Sequence, residues 1–206
     1  ADGLIRTRRR FYMNDLALTF FAVLLVFLNG FFVAAEFAIV KLRLTHAEEL
    51  AKERGFIGRT LFKVRRRLDA YLSACQLGIT LASLGLGWVG EPAFSRLIEP
   101  LLAAAGVDSP ELVHSISFAI AFGIISFLHI VLGELAPKSV AIRKTEIVSL
   151  WAALPLFLFY WLMYPFIAVL NGSANLLLKS VNLQLADEGD DPHSADEIRK
   201  LLAASH

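Results

Sequence analysis

The run Gly133-Glu134-Leu135-Ala136-Pro137-Lys138 holds the residue types in this chain most able to do chemistry. Pro137 has no N–H to give to the carbonyl four residues earlier, so an α-helix carried through it leaves the Gly133 oxygen free beside the Glu134 carboxylate. Two hard oxygen donors result. Inside a bilayer an unpaired carbonyl is costly and a carboxylate costs roughly 2.5–3.5 kcal/mol on insertion scales, so both require a cation, a partner or water. More oxygens lie on Ser73, Gln76, Thr80 and Ser83, spaced three, four and three apart and hence on one helical face. Ala74, Gly78, Ala82 and Gly85 beside this stripe permit close backbone approach, so it is expected to face another helix or a cavity. Asn29 and Glu36 are seven apart and share a face, as do Ser126, His129, Gly133 and Pro137. Carboxylate, carbonyl and hydroxyl oxygens suit a hard cation such as magnesium, calcium or sodium, and no cysteine or histidine cluster is available for zinc or copper. Each set has a plainer reading. Pro137 can simply kink a helix while Glu134 pairs with Lys138, the stripe can be interhelical hydrogen-bonding glue, Glu36 can pair with Lys41 or Lys138, and His129 can be a packing residue.

The elements that must position these groups are membrane helices. The chain has 206 residues, is 56% hydrophobic with a mean hydropathy of +0.59, and gathers its charges between long uncharged runs, which points to an all-α protein with the bilayer as solvent. Spans are expected at about 16–40, 70–89 and 116–138. Nine basic residues between Lys41 and Arg67, in a stretch expected to form a helical pair, and Lys138, Arg143 and Lys144 after the third span, are expected to face the cytoplasm. The connection Gly90–Val113 carries four acidic residues against Arg96 and suits the other side. This places the N-terminus outside and the C-terminus inside the plasma membrane, against the opposing pull of Arg6, Arg8, Arg9 and Arg10. The apolar run 147–178 has basic flanks at Lys144 and Lys179, contains Pro155 and Pro165, and carries Trp151, Tyr160, Trp161 and Tyr164; it is expected to be a re-entrant or interfacial helical hairpin. Residues 1–182 then form the transmembrane domain. An acidic linker follows over 183–206, in which Ser194-x-x-Glu197 is a capping box opening an amphipathic helix that leads toward a soluble domain.

Several function classes are excluded or weakened. Cys75 is the single cysteine, so no intrachain disulfide forms. The motifs H-E-x-x-H, G-x-S-x-G and the Walker loop are absent, and Ser126 with His129 at one helical turn is poor support for a hydrolase, so a non-enzyme is expected. The basic residues between the first two spans are explained by topology and anionic lipid, with no nucleic-acid signature.

Three long motifs resemble the transmembrane domain of the CNNM/CorC family: Leu28-Asn-Gly-Phe-Phe-Val-Ala-Ala-Glu-Phe-Ala-Ile39, Gln76-Leu-Gly-Ile-Thr-Leu-Ala-Ser-Leu-Gly-Leu-Gly-Trp-Val-Gly-Glu-Pro92 and His129-Ile-Val-Leu-Gly-Glu-Leu-Ala-Pro-Lys-Ser139. The resemblance covers nearly the whole chain, including His193-Ser-Ala-Asp-Glu-Ile-Arg, which looks like the family's lead into a cytosolic CBS pair. It implies a homodimer with three spans and a belt-like juxtamembrane segment that binds magnesium within the membrane and exports it, with sodium as the coupling ion and no nucleotide on this part of the chain. Carried over by motif, the Gly133 carbonyl and Glu134 would be ion ligands, and Thr80 and Ser83 occupy positions where other members have asparagines. Pro137, Glu36, Lys138, Gln76 and Asn29 would support them. Where many members read Ser-Gly-Ser-Glu this chain reads Val33-Ala34-Ala35-Glu36, which removes hydroxyl oxygens from the first helix. A membrane anchor or regulator of another transporter is the alternative from a different class.

Overall fold

A chain this apolar satisfies its backbone internally, and the computed structural model is helical throughout the residues it describes, which are 2–107 and 109–180, with side chains from Ala17 onward apart from Lys179. The acidic linker, the capping box and the amphipathic helix expected over 183–206 lie outside the described residues, as do the side chains of Arg6 to Arg10. In order, the elements are α1 (Asp2–Lys41), α2 (Leu44–Glu53), α3 (Gly55–Arg66), α4 (Leu68–Ala104), α5 (Pro110–Leu128), a π-helical segment (His129–Leu135), α6 (Ala136–Arg143) and α7 (Thr145–Ser180). Four stretches are long and apolar enough to cross a membrane: Ala17–Lys41, Leu68–Ala104, Pro110–Arg143 and Thr145–Leu178. Their large apolar side chains are widely exposed, among them Phe20, Trp88 and Trp151, as expected for lipid-facing surface.

Two features differ from the sequence expectation. The helix expected to end near residue 89 continues to Ala104 with Pro92 and Pro100 inside it. Beyond Gly90, the apolar residues Ala93, Phe94, Leu97, Ile98 and Leu101 recur at helical spacing, and the helix stops where Gly106 takes a φ of 87° after the Ala105 cap. The hairpin expected over 147–178 is not formed. Thr145–Ser180 is one helix with Pro155 and Pro165 inside. Between these prolines the chain reads Leu-Phe-Leu-Phe-Tyr-Trp-Leu-Met-Tyr, with no Gly, Asn or Asp to support a turn, so each proline forfeits one backbone bond and the helix persists.

The chain divides into two compact units, residues 1–167 and 168–206. In the first unit, Ala22, Leu25 and Val26 of α1 pack with Leu86 of α4 and Ile125 of α5. Farther along α1, Phe32, Ala35 and Ile39 pack with Tyr71, Ala74 and Cys75 of α4 and with Ala152, Leu156 and Tyr160 of α7. Gly78 makes this approach possible, since a Cβ there would lie 2.5 Å from the Phe32 ring. In the second unit, the described residues continue α7, with Val169, Leu170, Leu176 and Leu177 exposed and Ser173 returning its hydroxyl to the Val169 carbonyl.

The basic segment folds as the short pair α2 and α3, turned at Gly55, whose φ of 58° favours glycine. Leu42, Ala47, Leu50 and Leu61 bury their side chains with Ala153 of α7. The pair crosses at Gly58, where a Cβ would press on the Leu50 carbonyl and lie 3.1 Å from the Ala51 Cα. Gly58→Ala is therefore expected to destabilise the protein toward the upper end of the roughly 1–3 kcal/mol typical of overpacking. A lowered melting temperature in detergent checks this, and an unchanged one would show that the crossing can open at no cost.

The pair is also tied down by polar contacts. Arg65 Nε donates to the Leu42 carbonyl at 2.7 Å and Lys41 Nζ to the Ile142 carbonyl at 2.6 Å, so each cation meets a helix-end oxygen. His46 lies 3.0 Å from Glu49 and 3.3 Å from Glu146 in the first turn of α7, and Arg54 also reaches Glu146, at 3.5 Å. The hydrogen bond to Glu49, followed by that to Glu146, raises the His46 pKa above its ordinary value. A raised folded-state pKa means that the protonated ring stabilises the fold fully below the unfolded value of about 6.5, and that this contribution is lost as pH climbs through the elevated value. The ring is 42% exposed, so the effect is small. Melting temperature is expected to fall across that window in the parent and to stay flatter in His46→Gln; parallel curves would contradict the assignment.

Candidate functional site

Asn29 is fully buried on α1 at the level where α4 and the π-helical segment meet it. A buried amide needs partners on both ends, and here it has them. Its Nδ2 donates to the Gly133 carbonyl at 3.0 Å, and its Oδ1 accepts from Ser83 Oγ at 3.2 Å. Ser83 has one proton, so toward His129 Nε2, 3.3 Å away, the hydroxyl accepts, which places a proton on that ring nitrogen. Glu134 Oε1 lies 3.9 Å from the same nitrogen. Five residues from three elements are thus joined, running from a buried amide to a carboxylate that is 51% exposed.

The local backbone explains part of this. From His129 to Leu135 the helix is π-helical, and the Ala136 N–H bonds to Val131, five residues back. In that register the N–H missing from Pro137 would have served Leu132, so the proline relieves the Leu132 carbonyl and not that of Gly133, as an unbroken α-helix would require. Gly30 of α1 fits against this point, since a Cβ there would lie 3.0 Å from both Leu132 O and Pro137 Cγ. The Gly133 oxygen, expected to be free, is taken up by Asn29. Gly133 is itself confined, because a Cβ would stand 3.0 Å from the His129 ring and 3.1 Å from Asn29 Nδ2.

The other sequence candidates are placed elsewhere. Thr80 returns its hydroxyl to the Gln76 carbonyl at 2.8 Å, and both residues are exposed; Ser73 does the same to Asp69. Of the polar stripe, Ser83 alone joins the cluster, because Gly78, Ala82 and Leu86 form the face turned to α1 and only Ser83 borders it near Asn29. Glu36 is half-buried and makes no ion pair among the described residues. Its two expected partners are engaged elsewhere, Lys41 at the Ile142 carbonyl and Lys138 with its ammonium 4.5 Å from the Phe37 ring centre. His129, expected on one face with Gly133 and open to a plain packing role, meets Ser83 Oγ through its Nε2 at 3.3 Å, a contact between positions 46 residues apart that its helical spacing does not encode.

A cavity of about 380 Å³ opens from the cluster, lined by Ser83 and His129 at one end and by Ser126 and Glu91 with the rings of Phe118 and Phe122. Among the described residues no three His, Cys, Asp or Glu side chains come together as a metal site would require. A cation here would depend on one carboxylate, on neutral oxygens and on retained water, which fits a hard ion and not a soft one.

The model of the cyclin M transmembrane N-terminal domain matches residues 20–206. The UPF0053 protein YhdT of Bacillus subtilis is 50% identical over 196 residues, covering 94% of this chain and 42% of that protein. YugS of the same organism is 47% identical over 182 residues, or 88% of this chain and 42% of the relative. The uncharacterized protein Rv1841c of Mycobacterium tuberculosis is 36% identical over 193 residues, or 94% and 54%. The chain therefore spans about half or less of the length of these relatives.

Proposed function

Because the chain belongs to the CNNM family, as the matched domain model and relatives up to 50% identical show, we propose that it carries a hard divalent cation, magnesium, across the membrane. The observation that carries this reading is the convergence of the Gly133 carbonyl, the Asn29 amide oxygen and the Ser83 hydroxyl beside Glu134, on helices long enough to span a bilayer.

Glu134 supplies the one negative charge of the site, and the Gly133 and Ser83 oxygens supply neutral ligands. Without an ion these oxygens are held by Asn29 and His129. Entry of a cation draws the Ser83 and Gly133 lone pairs away from those bonds, and the exchange of hydrogen bonds for ion contacts keeps the cost of emptying the site low. The cavity toward Glu91 is the path to one side of the membrane, and Glu91 raises the local cation concentration at its mouth. The ion is exported against sodium by a homodimer whose N-terminus is outside and whose chain continues to cytosolic CBS-type domains. α7, basic at both flanks, runs as a belt at the cytoplasmic surface.

One observation favours a second reading: the cluster is self-satisfied, each buried polar atom of Asn29 having a protein partner. A membrane anchor that regulates another transporter would need no more than that. Magnesium flux in proteoliposomes, with an imposed sodium gradient and without one, separates the two. Sodium-dependent flux is the expected result, and its absence from folded, reconstituted protein would favour the regulator.

A further inference from the structure

A second concavity, part charged and part aromatic, lies away from the Asn29–Glu134 cluster, where α3 ends and α4 begins. Its volume is about 370 Å³, and its lining is Lys63 and Arg66 of α3, Arg67 at the junction, Tyr71 of α4, and Phe157 and Trp161 of α7. Three cations thus stand on one side and an aromatic wall on the other. None of the three is neutralised: among the described residues Lys63, Arg66 and Arg67 have no carboxylate partner, and the Arg66 guanidinium lies 5.9 Å from the Phe62 ring centre. Like charges gathered around a shared hollow repel one another unless an anion sits among them.

The aromatic wall bears on which anion would suit the pocket. Phe157 and Trp161 meet edge to face at 6.3 Å, Trp161 stacks on Tyr164 at 6.0 Å, and Tyr71 packs on Tyr160 at 4.6 Å. A tier of Trp and Tyr on an otherwise apolar helix marks the headgroup level of a bilayer. On α7 beside this tier, Leu158 and Leu162 are 60% and 70% exposed and face outward as acyl-chain contacts would. A ligand with a phosphate at one end and hydrocarbon at the other matches both halves. We propose that this pocket binds the phosphate of an anionic phospholipid headgroup, tying the basic pair α2 and α3 to α7 through lipid. Basic pockets at this depth are the general setting for such recognition, and the proposal is independent of whether the chain transports a cation.

The test is thermal melting of the detergent-purified protein with added phosphatidylglycerol, phosphatidylcholine or inorganic phosphate. The parent is expected to be stabilised by phosphatidylglycerol well beyond phosphatidylcholine, and not by inorganic phosphate. Lys63→Gln with Arg66→Gln, both exposed on α3 and expected to melt like the parent without lipid, should weaken apparent lipid affinity about fivefold for each charge removed. Arg59→Gln with Lys144→Gln removes the same charge outside the pocket and should keep the parent's response. Equal effects of the two lipids, an equal effect of inorganic phosphate, or equal losses in both double variants would each overturn the assignment.

Discussion

Glutamine in place of Glu134 is expected to leave the helices folded and to remove cation flux. The side chain is 51% exposed within the chain, and the His129 ring nitrogen nearest it is 3.9 Å away, so stability should change by no more than about 0.5 kcal/mol. Transport is different, because among the described residues Glu134 is the carboxylate at the cluster, and the substitution keeps shape while deleting charge. Ligand charge sets the affinity of an oxygen site for a hard cation over decades, so deleting the one negative charge is expected to lower flux by at least about tenfold. Proteoliposome flux measured beside a melting curve checks both parts. A Glu134→Gln protein that melts normally and transports normally would remove Glu134 from the mechanism.

Asn29→Ala is expected to damage both stability and transport. Among the described residues, its amide gives the Gly133 carbonyl a hydrogen bond from another helix and accepts the Ser83 proton. Truncation takes the α1 donor from the Gly133 carbonyl, at about 1–3 kcal/mol for a buried polar group left unpaired, leaves Ser83 with His129 alone, and adds a void at a fully buried position. The melting temperature should fall clearly. Flux should be lost even at temperatures where the variant is folded, since Gly133 and Ser83 are no longer held toward one another. A stable Asn29→Ala protein would mean that water replaces the amide, and one with normal flux would show that the cluster does not position the ion.

How much of this was legible in the sequence depended on range. Gly133, Glu134 and Ser83 stood out because each sits in a local pattern that membrane physics makes costly: a proline after a carbonyl, a carboxylate in an apolar run, and a hydroxyl among small residues. Thr80 had the same pattern and is placed elsewhere, because a threonine can return its proton to the carbonyl one turn back and needs no other helix. The pairing of Asn29 with Gly133 joins positions 104 residues apart, and no local spacing encodes it. The π-helical register was invisible for a related reason. It shifts each bond by one residue, which moves the carbonyl relieved by Pro137 from Gly133 to Leu132, the point against which Gly30 of a distant segment is packed. The continuity of α7 could have been read from the lack of turn residues between Pro155 and Pro165, whereas two prolines and basic flanks suggested a hairpin.

The central claim, that a hard cation is held where Asn29, Ser83, His129 and Gly133 meet Glu134, is tested most directly by the melting temperature of the detergent-solubilised protein against magnesium concentration, with Glu134→Gln in parallel. A bound ion stabilises the fold by RT ln(1 + [L]/Kd), so the parent's melting temperature should rise steadily with magnesium while that of Glu134→Gln stays level. An equal rise in both proteins, or none in the parent with magnesium, calcium or sodium, would contradict the account.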